Sequence, residues 1–408
     1  MTSDSHSTST GTDDPIQFVL VSGFLGAGKT TSLKAMGETL TRRGYTVGMI
    51  TNDQAEGLVD TSILDDAGGE VEEIPGGCFC CNFDDLLNAA ESIVARDADV
   101  LLCEPVGSCT DLVATVVNPL RSMYAAEFSV APLTTVLDPD RVRSYVSDED
   151  AALPEEVRYI FRQQVDEADL VVLNKTDTLP DDEVDELVAG LEGRVGDRPV
   201  LPVSALEREG LDEWLSLVVD GVDLADVDDI GASLDVDIDL DDGALAPEGR
   251  ALTDIDYDTY AEGEARLGWV NMTIDIEGSL PTDRFRRVLM EQLQSTLDEH
   301  DIETAHLKFS VAADGNLCHA NLTATDGDPG YDGADLGTVE GAQLVLNARA
   351  VGDPDRIRGH AVDAVWVAAA RTDVDVEVAG SQAFRPAYPE PVHRMDEGPD
   401  ARTVEESE

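Results

Sequence analysis

Gly23-Phe-Leu-Gly-Ala-Gly-Lys-Thr-Thr31 fits the pattern Gly-x4-Gly-Lys-Thr, and its flanks decide what the match means. Ile16 to Val21 (Ile-Gln-Phe-Val-Leu-Val) reads as a buried strand, and Ser32 to Leu40 reads as a helix. A glycine loop between a strand and a helix lets backbone N–H groups close around phosphate oxygens, with the positive end of the helix dipole behind them. On that layout Gly23, Gly26, Ala27, Gly28 and Thr31 belong to the phosphate cradle. Lys29 reaches the β- and γ-phosphates, and the Thr30 hydroxyl holds Mg²⁺. The competing interpretation, a glycine turn ahead of an ordinary helix, is disfavoured by the flanks. The expected ligand is a nucleoside triphosphate.

At 408 residues the chain has room for about two or three domains, and 42% hydrophobic residues suffice for a sizeable core. The net charge of −58 is extreme, and the only lysines are Lys29, Lys34, Lys175 and Lys308. Such a surface repels itself in dilute salt and argues against nucleic acid as a partner. It makes sense where the Debye length is about 3 Å, at molar salt, so a halophile's cytoplasmic protein is expected. No apolar run is long enough to span a bilayer, and the N-terminus lacks a signal peptide's hydrophobic core, so no membrane role is expected. Cys78, Cys80, Cys81, Cys103, Cys109 and Cys318 are the cysteines, and in a soluble intracellular chain their clustering points to metal or thiolate chemistry before disulfides.

In chain order, residues 1–15 read as a disordered Ser/Thr/Asp-rich tail and residues 16–220 as the nucleotide-binding domain. A strand at Thr46–Thr51 leads into Asn52-Asp53-Gln54, where Asp53 suits either Mg²⁺ or the attacking water, or simply a turn. Glu56 to Glu73, acidic and glycine-containing, reads as a mobile switch segment. Gly76-Gly-Cys-Phe-Cys-Cys81 then packs three cysteines into four residues ahead of a helix (Asn82 to Ala95). Thiolates suit Zn²⁺ and other borderline or soft ions, and a helix N-terminus lowers thiol pKa. Three ligands leave one position open; a chance cluster of small core residues is the bland alternative.

The strand Asp99–Cys103 ends in Glu104-Pro-Val-Gly107, the layout of a Mg²⁺ and γ-phosphate sensor in phosphate-loop enzymes. Glu104 would bind the metal's water shell and the Gly107 N–H the γ-phosphate; Cys103 reads as core, with Cys109 a weak candidate near the metal. A strand at Asp169–Leu173 ends in Asn174-Lys-Thr-Asp177, the guanine-reading motif of GTPases. The Asp177 carboxylate accepts from the guanine ring N1–H and amine, the Lys175 stem packs along the base, and Asn174 braces the loop. At the tip of the next strand, Ser204-Ala205 is placed to give a backbone N–H to guanine O6.

With these motifs in order, the segment from Ile16 to about Asp220 resembles the CobW/HypB/UreG group of metal-handling GTPases, best its CobW-like branch. The resemblance rests on the stretches 23–31, 76–81, 104–107 and 174–177 and covers about half the chain. It implies a mainly parallel sheet flanked by helices. It also implies slow GTP hydrolysis with Mg²⁺, coupled to delivery of Zn²⁺ or Co²⁺ to a client metalloenzyme or corrinoid-pathway protein, so that Lys29, Asp53 and Glu104 carry catalysis. Thr51-Asn-Asp-Gln54 looks more like the urease and hydrogenase accessory proteins, and no His-rich tract is present.

Residues 221–250 read as an acidic linker, 251–380 as a smaller α+β domain with an antiparallel sheet and helices on one face, and 381–408, Pro-rich and acidic, as a loose tail. His300, His306, Cys318, His319 and His360 fit no zinc spacing and read as core or surface residues. Two function classes follow: a GTP-hydrolysing metallochaperone or maturation factor, and a nucleotide-gated regulator whose cysteines are structural. A phosphate-loop kinase is disfavoured by the guanine motif, and a homodimer is left open.

Overall fold

The structure, a computed structural model, describes residues 15–53, 70–75, 77–147, 153–219 and 251–398. The tail before Pro15, most of the Glu56–Glu73 switch segment, Gly76, the 221–250 linker and residues 399–408 lie outside the described residues.

The first unit runs β1 (Ile16–Gly23), α1 (Lys29–Arg43), β2 (Val47–Asp53), β3 (Glu70–Pro75), α2 (Phe83–Val94) and β4 (Val100–Glu104). A π-helical turn (Val113–Val117) leads into α3 (Asn118–Met123), β5 (Phe128–Val130), β6 (Thr134–Leu137), α4 (Pro139–Ser147) and α5 (Glu155–Glu167). It closes with β7 (Leu170–Leu173), α6 (Asp181–Val195), β8 (Val200–Pro202) and α7 (Leu211–Val218). The strands form one parallel sheet, in the order β3-β2-β4-β1-β6-β7-β8 with β5 also on β1. Near-continuous apolar strands such as Phe18–Val21 and Leu101–Cys103 are fully buried, because helices cover both faces. That leaves the carboxyl ends of the strands as the open edge, where ligands of such sheets bind. β3, which falls at the end of the segment read as a switch, is an edge strand in which Ile74 is buried and Val71, Glu72 and Glu73 are half-buried, so its sequence carries little apolar signal.

The second unit runs α8 (Tyr257–Arg266), β9 (Leu267–Pro281), α9 (Thr282–Glu299), β10 (Thr304–Ala313), β11 (Asn316–Leu322), β12 (Gly330–Gly333), β13 (Thr338–Val351), α10 (Pro354–Thr372) and β14 (Asp375–Phe384). Its sheet is antiparallel, in the order β12-β11-β10-β13-β9-β14. Leu307, Phe309 and Val311 of β10 face a core shared with Phe285, Leu289 and Leu293 of α9 and Ile357, Ala361 and Val365 of α10. Alternation puts His306, Lys308 and Ser310 on the other face, which lies against the first unit.

The units meet closely. Arg141 on α4 donates to the carbonyls of Thr304 (3.2 Å) and Thr323 (2.8 Å). Gly263 on α8 sits where a Cβ would lie 2.3 Å from the Glu156 carbonyl oxygen of α5, so only glycine permits that approach. The 381–398 stretch differs from the loose tail expected of it: residues 381–384 finish β14, Arg385 and Tyr388 bond to the second unit, and Val392, Arg394 and Met395 bond to the first. Val392 N–H donates to the Cys80 carbonyl (2.9 Å), Met395 N–H to the Ala114 carbonyl (2.8 Å), and Arg394 pairs with the buried Asp111 carboxylate (2.8 Å). These buried acceptors give an acidic, Pro-rich strap specific partners that composition alone conceals.

Candidate functional site

The loop between β1 and α1 is held in the shape its glycines permit. Gly28, the N-cap of α1, has φ 97°, and a Cβ there would lie 2.3 Å from the Asn174 Nδ2. A Cβ on Gly26 would strike Thr323 at 2.4 Å, so the second sheet rests on the loop itself. Gly23, Ala27, Lys29, Thr30 and Thr31 complete the loop and first turn, as the sequence predicts. The Thr30 hydroxyl donates to Glu104 Oε1 (3.1 Å), at the tip of β4, and Lys29 Nζ stands 3.9 Å from the same oxygen. Gly107 is packed against Lys29, since a Cβ there would lie 3.0 Å from Nζ. Asp53 ends β2, opposite Pro75 of β3.

Asn174 is 2% exposed and braces the site: Nδ2 donates to the Ala27 carbonyl and Oδ1 accepts from Ala205 N–H, both at 3.0 Å. The Ala205 N–H, expected to meet the base, is therefore taken by Asn174 in this arrangement. Lys175 has φ 63° and pairs with Asp138 at 2.8 Å, and the Ser204 hydroxyl donates to the exposed Asp177 carboxylate at 2.6 Å.

Among the described residues one group of potential metal ligands converges: Cys78, Cys80 and Cys81. Their sulfurs are 2.7 Å (78–80), 3.1 Å (78–81) and 3.8 Å (80–81) apart. A tetrahedral shell with zinc–sulfur bonds of about 2.3 Å has edges of about 3.8 Å. The 80–81 edge already matches, and Cys78 alone would have to back away.

A family model for the CobW/HypB/UreG nucleotide-binding domain matches residues 17–200. The match takes in the first unit, a little under half of the chain, and the likeness to CobW/HypB/UreG is shown for that unit. It is 30% identical over 241 residues, 50% of this chain and 61% of the other, to zinc chaperone CobW of Pseudomonas aeruginosa. It is 32% identical over 173 residues, 40% and 48% of the two chains, to zinc chaperone YeiR of Escherichia coli. It is 29% identical over 175 residues, 41% and 40% of the two chains, to zinc-regulated GTPase metalloprotein activator 1 of Schizosaccharomyces pombe. The chain thus spans about half the length of these relatives.

Within the first unit the cysteines share protons unequally. Hydrogen bonds from Cys109, then Cys80 and Cys81, lower the Cys78 pKa well below the ordinary thiol value against the opposing effect of burial. Donating to Cys78 raises Cys80 and pushes Cys81 up to about 11, while Cys109 is raised by burial first. Cys78 is thus the sulfur that gives up its proton most readily, and a metal would displace protons from its neighbours. Cys109, weak on sequence, stands beside Cys78, on the chain leading from Glu104 and Gly107; Gln164 Nε2 clamps that chain through the carbonyls of Gly107 (3.1 Å) and Cys109 (2.8 Å). Asn52 adds a second tie, donating to the carbonyls of Ile74 (2.8 Å) and Gly77 (2.6 Å).

Asp138 went unread in the sequence, though an acidic residue at the tip of β6 is the same signal as Glu104 at the tip of β4. Burial raises its pKa most, but the Lys175 ammonium together with the Arg141 backbone N–H and guanidinium outweighs it and holds the carboxyl below its ordinary value. The far histidines separate: His300 stacks on His360 at 4.2 Å, whereas His306 and His319 line the cavity beside the phosphate loop. Cys318 is buried in the second sheet, away from the other cysteines.

Proposed function

We propose that this chain is a GTP-hydrolysing metallochaperone, in which the state of the nucleotide sets how tightly Cys78, Cys80 and Cys81 hold a metal. Lys29 and the loop N–H groups bind the phosphates, Gly107 faces the third phosphate, and Asp177 with Lys175 selects guanine. Thr30 and Glu104, with Asp53 at the neighbouring strand tip, hold Mg²⁺, which neutralises phosphate charge when bound. Zn²⁺ is the cargo, in keeping with the zinc chaperones among the relatives, and Co²⁺ is its rival because thiolates suit both. The receiver is a client metalloprotein.

The observation that carries this reading is the short span from Glu104 to Cys109. At one end Glu104 accepts from Thr30 of the phosphate loop; at the other Cys109 stands beside Cys78 and helps hold its pKa down. A shift of Glu104 and Gly107 when the third phosphate leaves would reach, five residues along the chain, a group standing beside the metal-binding sulfur. The test replaces all three cysteines by Ser. Chelator competition should show tight Zn²⁺ binding lost, with GTP binding and hydrolysis largely kept. Tight zinc binding that survives the replacement places the cargo elsewhere and overturns the reading.

A further inference from the structure

Of the four lysines in a chain of net charge −58, three (Lys29, Lys175 and Lys308) line one cavity, and Arg349 joins them. Two of these cations belong to the first unit, and two belong to the second sheet, Lys308 on β10 and Arg349 on β13. Lys308 is 8% exposed and Arg349 3% exposed, so their charge is directed inward rather than to solvent. Arg349 is fixed before any ligand arrives. Its Nη1 donates to the Val270 carbonyl (3.2 Å), Asn271 Oδ1 (2.8 Å) and the Ala348 carbonyl (3.1 Å), and its guanidinium lies 3.9 Å from the Trp269 ring centroid. Burial, and then Lys29, Lys175 and Arg349, push His306 down to about 3. Lys29 stands 3.9 Å from Glu104 and Lys175 pairs with Asp138 at 2.8 Å, so the cluster combines partly compensated cations in a cavity where a phosphate can add further negative charge. Elsewhere the chain is overwhelmingly acidic, so this cavity is where a polyanion would be drawn.

We propose that the second sheet is the outer wall of the nucleotide site, and that Lys308 and Arg349 bind the terminal phosphate of the triphosphate held by Lys29 and Thr30. The inference rests on the reading of the phosphate loop as a GTP site. Lys29 and Gly107 mark where the third phosphate falls, and both line the same cavity as Lys308 and Arg349. Cations supplied to a terminal phosphate from a second part of the same chain act as an arginine finger in cis does. GTP then draws the two units together, and GDP, lacking the third phosphate, holds them less firmly. The strap at 385–398, which leaves the second sheet and bonds to the Cys80 carbonyl, carries that difference toward the cysteines.

The experiment measures affinity for a non-hydrolysable GTP analogue and for GDP, with Lys308→Gln and Lys308→Arg beside the wild type. A charge-assisted contact to phosphate predicts a loss of at least about tenfold in analogue affinity for Lys308→Gln, little change for GDP, and substantial rescue by Lys308→Arg. Equal effects on both nucleotides, or none, in a folded variant overturn the inference and leave the phosphate-loop reading standing. Wild type that binds neither nucleotide overturns both. Should Lys308→Gln fail to fold, hydrogen exchange on the wild type decides: β10 and β13 should gain more protection with the analogue than with GDP, and equal protection refutes the proposal.

Discussion

Asn174→Ala tests whether the phosphate loop and the base loop are one braced unit. The side chain is buried and spans both, through the Ala27 carbonyl and the Ala205 N–H at 3.0 Å each. Truncation strands one buried acceptor and one buried donor. Each costs about 1–3 kcal/mol, partly recovered by water, so a loss of about 2–4 kcal/mol in unfolding free energy is expected. The loop would also lose its fixed shape, and GTP affinity should fall at least about tenfold. Asn174→Asp should be no better, because it keeps the acceptor for Ala205 but faces the Ala27 carbonyl with another acceptor. Urea unfolding without nucleotide gives the first quantity and calorimetric GTP titration the second. A variant within about 0.5 kcal/mol of wild type that binds GTP equally would refute the brace.

Asp177→Asn should weaken GTP binding and shift preference toward xanthine nucleotide, since an amide can donate where the carboxylate only accepts; competition between the two nucleotides checks it, and unchanged GTP preference rules out guanine reading by Asp177. Glu167, fully buried and accepting from Thr110 Oγ1 (3.1 Å) and Val113 N–H (3.2 Å), is pushed by burial from 4.5 to about 8. The folded state therefore binds the extra proton between those values, and stability should fall as pH rises across that window, by up to about 1.4 kcal/mol per pH unit from this group. Glu167→Gln should flatten that slope in urea unfolding from pH 5 to 8; an unaltered slope would assign it elsewhere. Melting temperature should climb as salt is raised toward the molar range, where the Debye length shortens to about 3 Å, and a flat response would mean that the charge of −58 is not a salt adaptation.

The arrangement of the loops proposed to hold nucleotide was legible because their motifs sit at strand tips in a fixed order. Continuous apolar strands such as Phe18–Val21 announce a buried parallel sheet, and Gly28, Asn174 and Asp177 then fall where chain order puts them. What escaped is what two distant segments make together. Nothing local to Lys308 or Arg349 says that β10 and β13 turn that face to a loop hundreds of residues away. Cys109 looked marginal because its partner, Cys78, lies on another loop, and the strap at 385–398 hid behind a composition typical of unstructured tails. Asp138 is a different kind of miss: its strand tip was readable, but only the bond to Lys175 gives it meaning.

Metal at the cysteines and nucleotide at the loop should be coupled through the Glu104–Cys109 span. The direct measurement is a chelator-buffered Zn²⁺ titration of the GTP-analogue form and the GDP form, with the reverse nucleotide titrations at fixed zinc. Zinc affinities should differ by at least about fivefold between the two forms, with the same factor when zinc is used to shift nucleotide affinity. Equal zinc affinity in both forms would contradict this coupling, leaving a GTPase whose cysteines do not respond to hydrolysis.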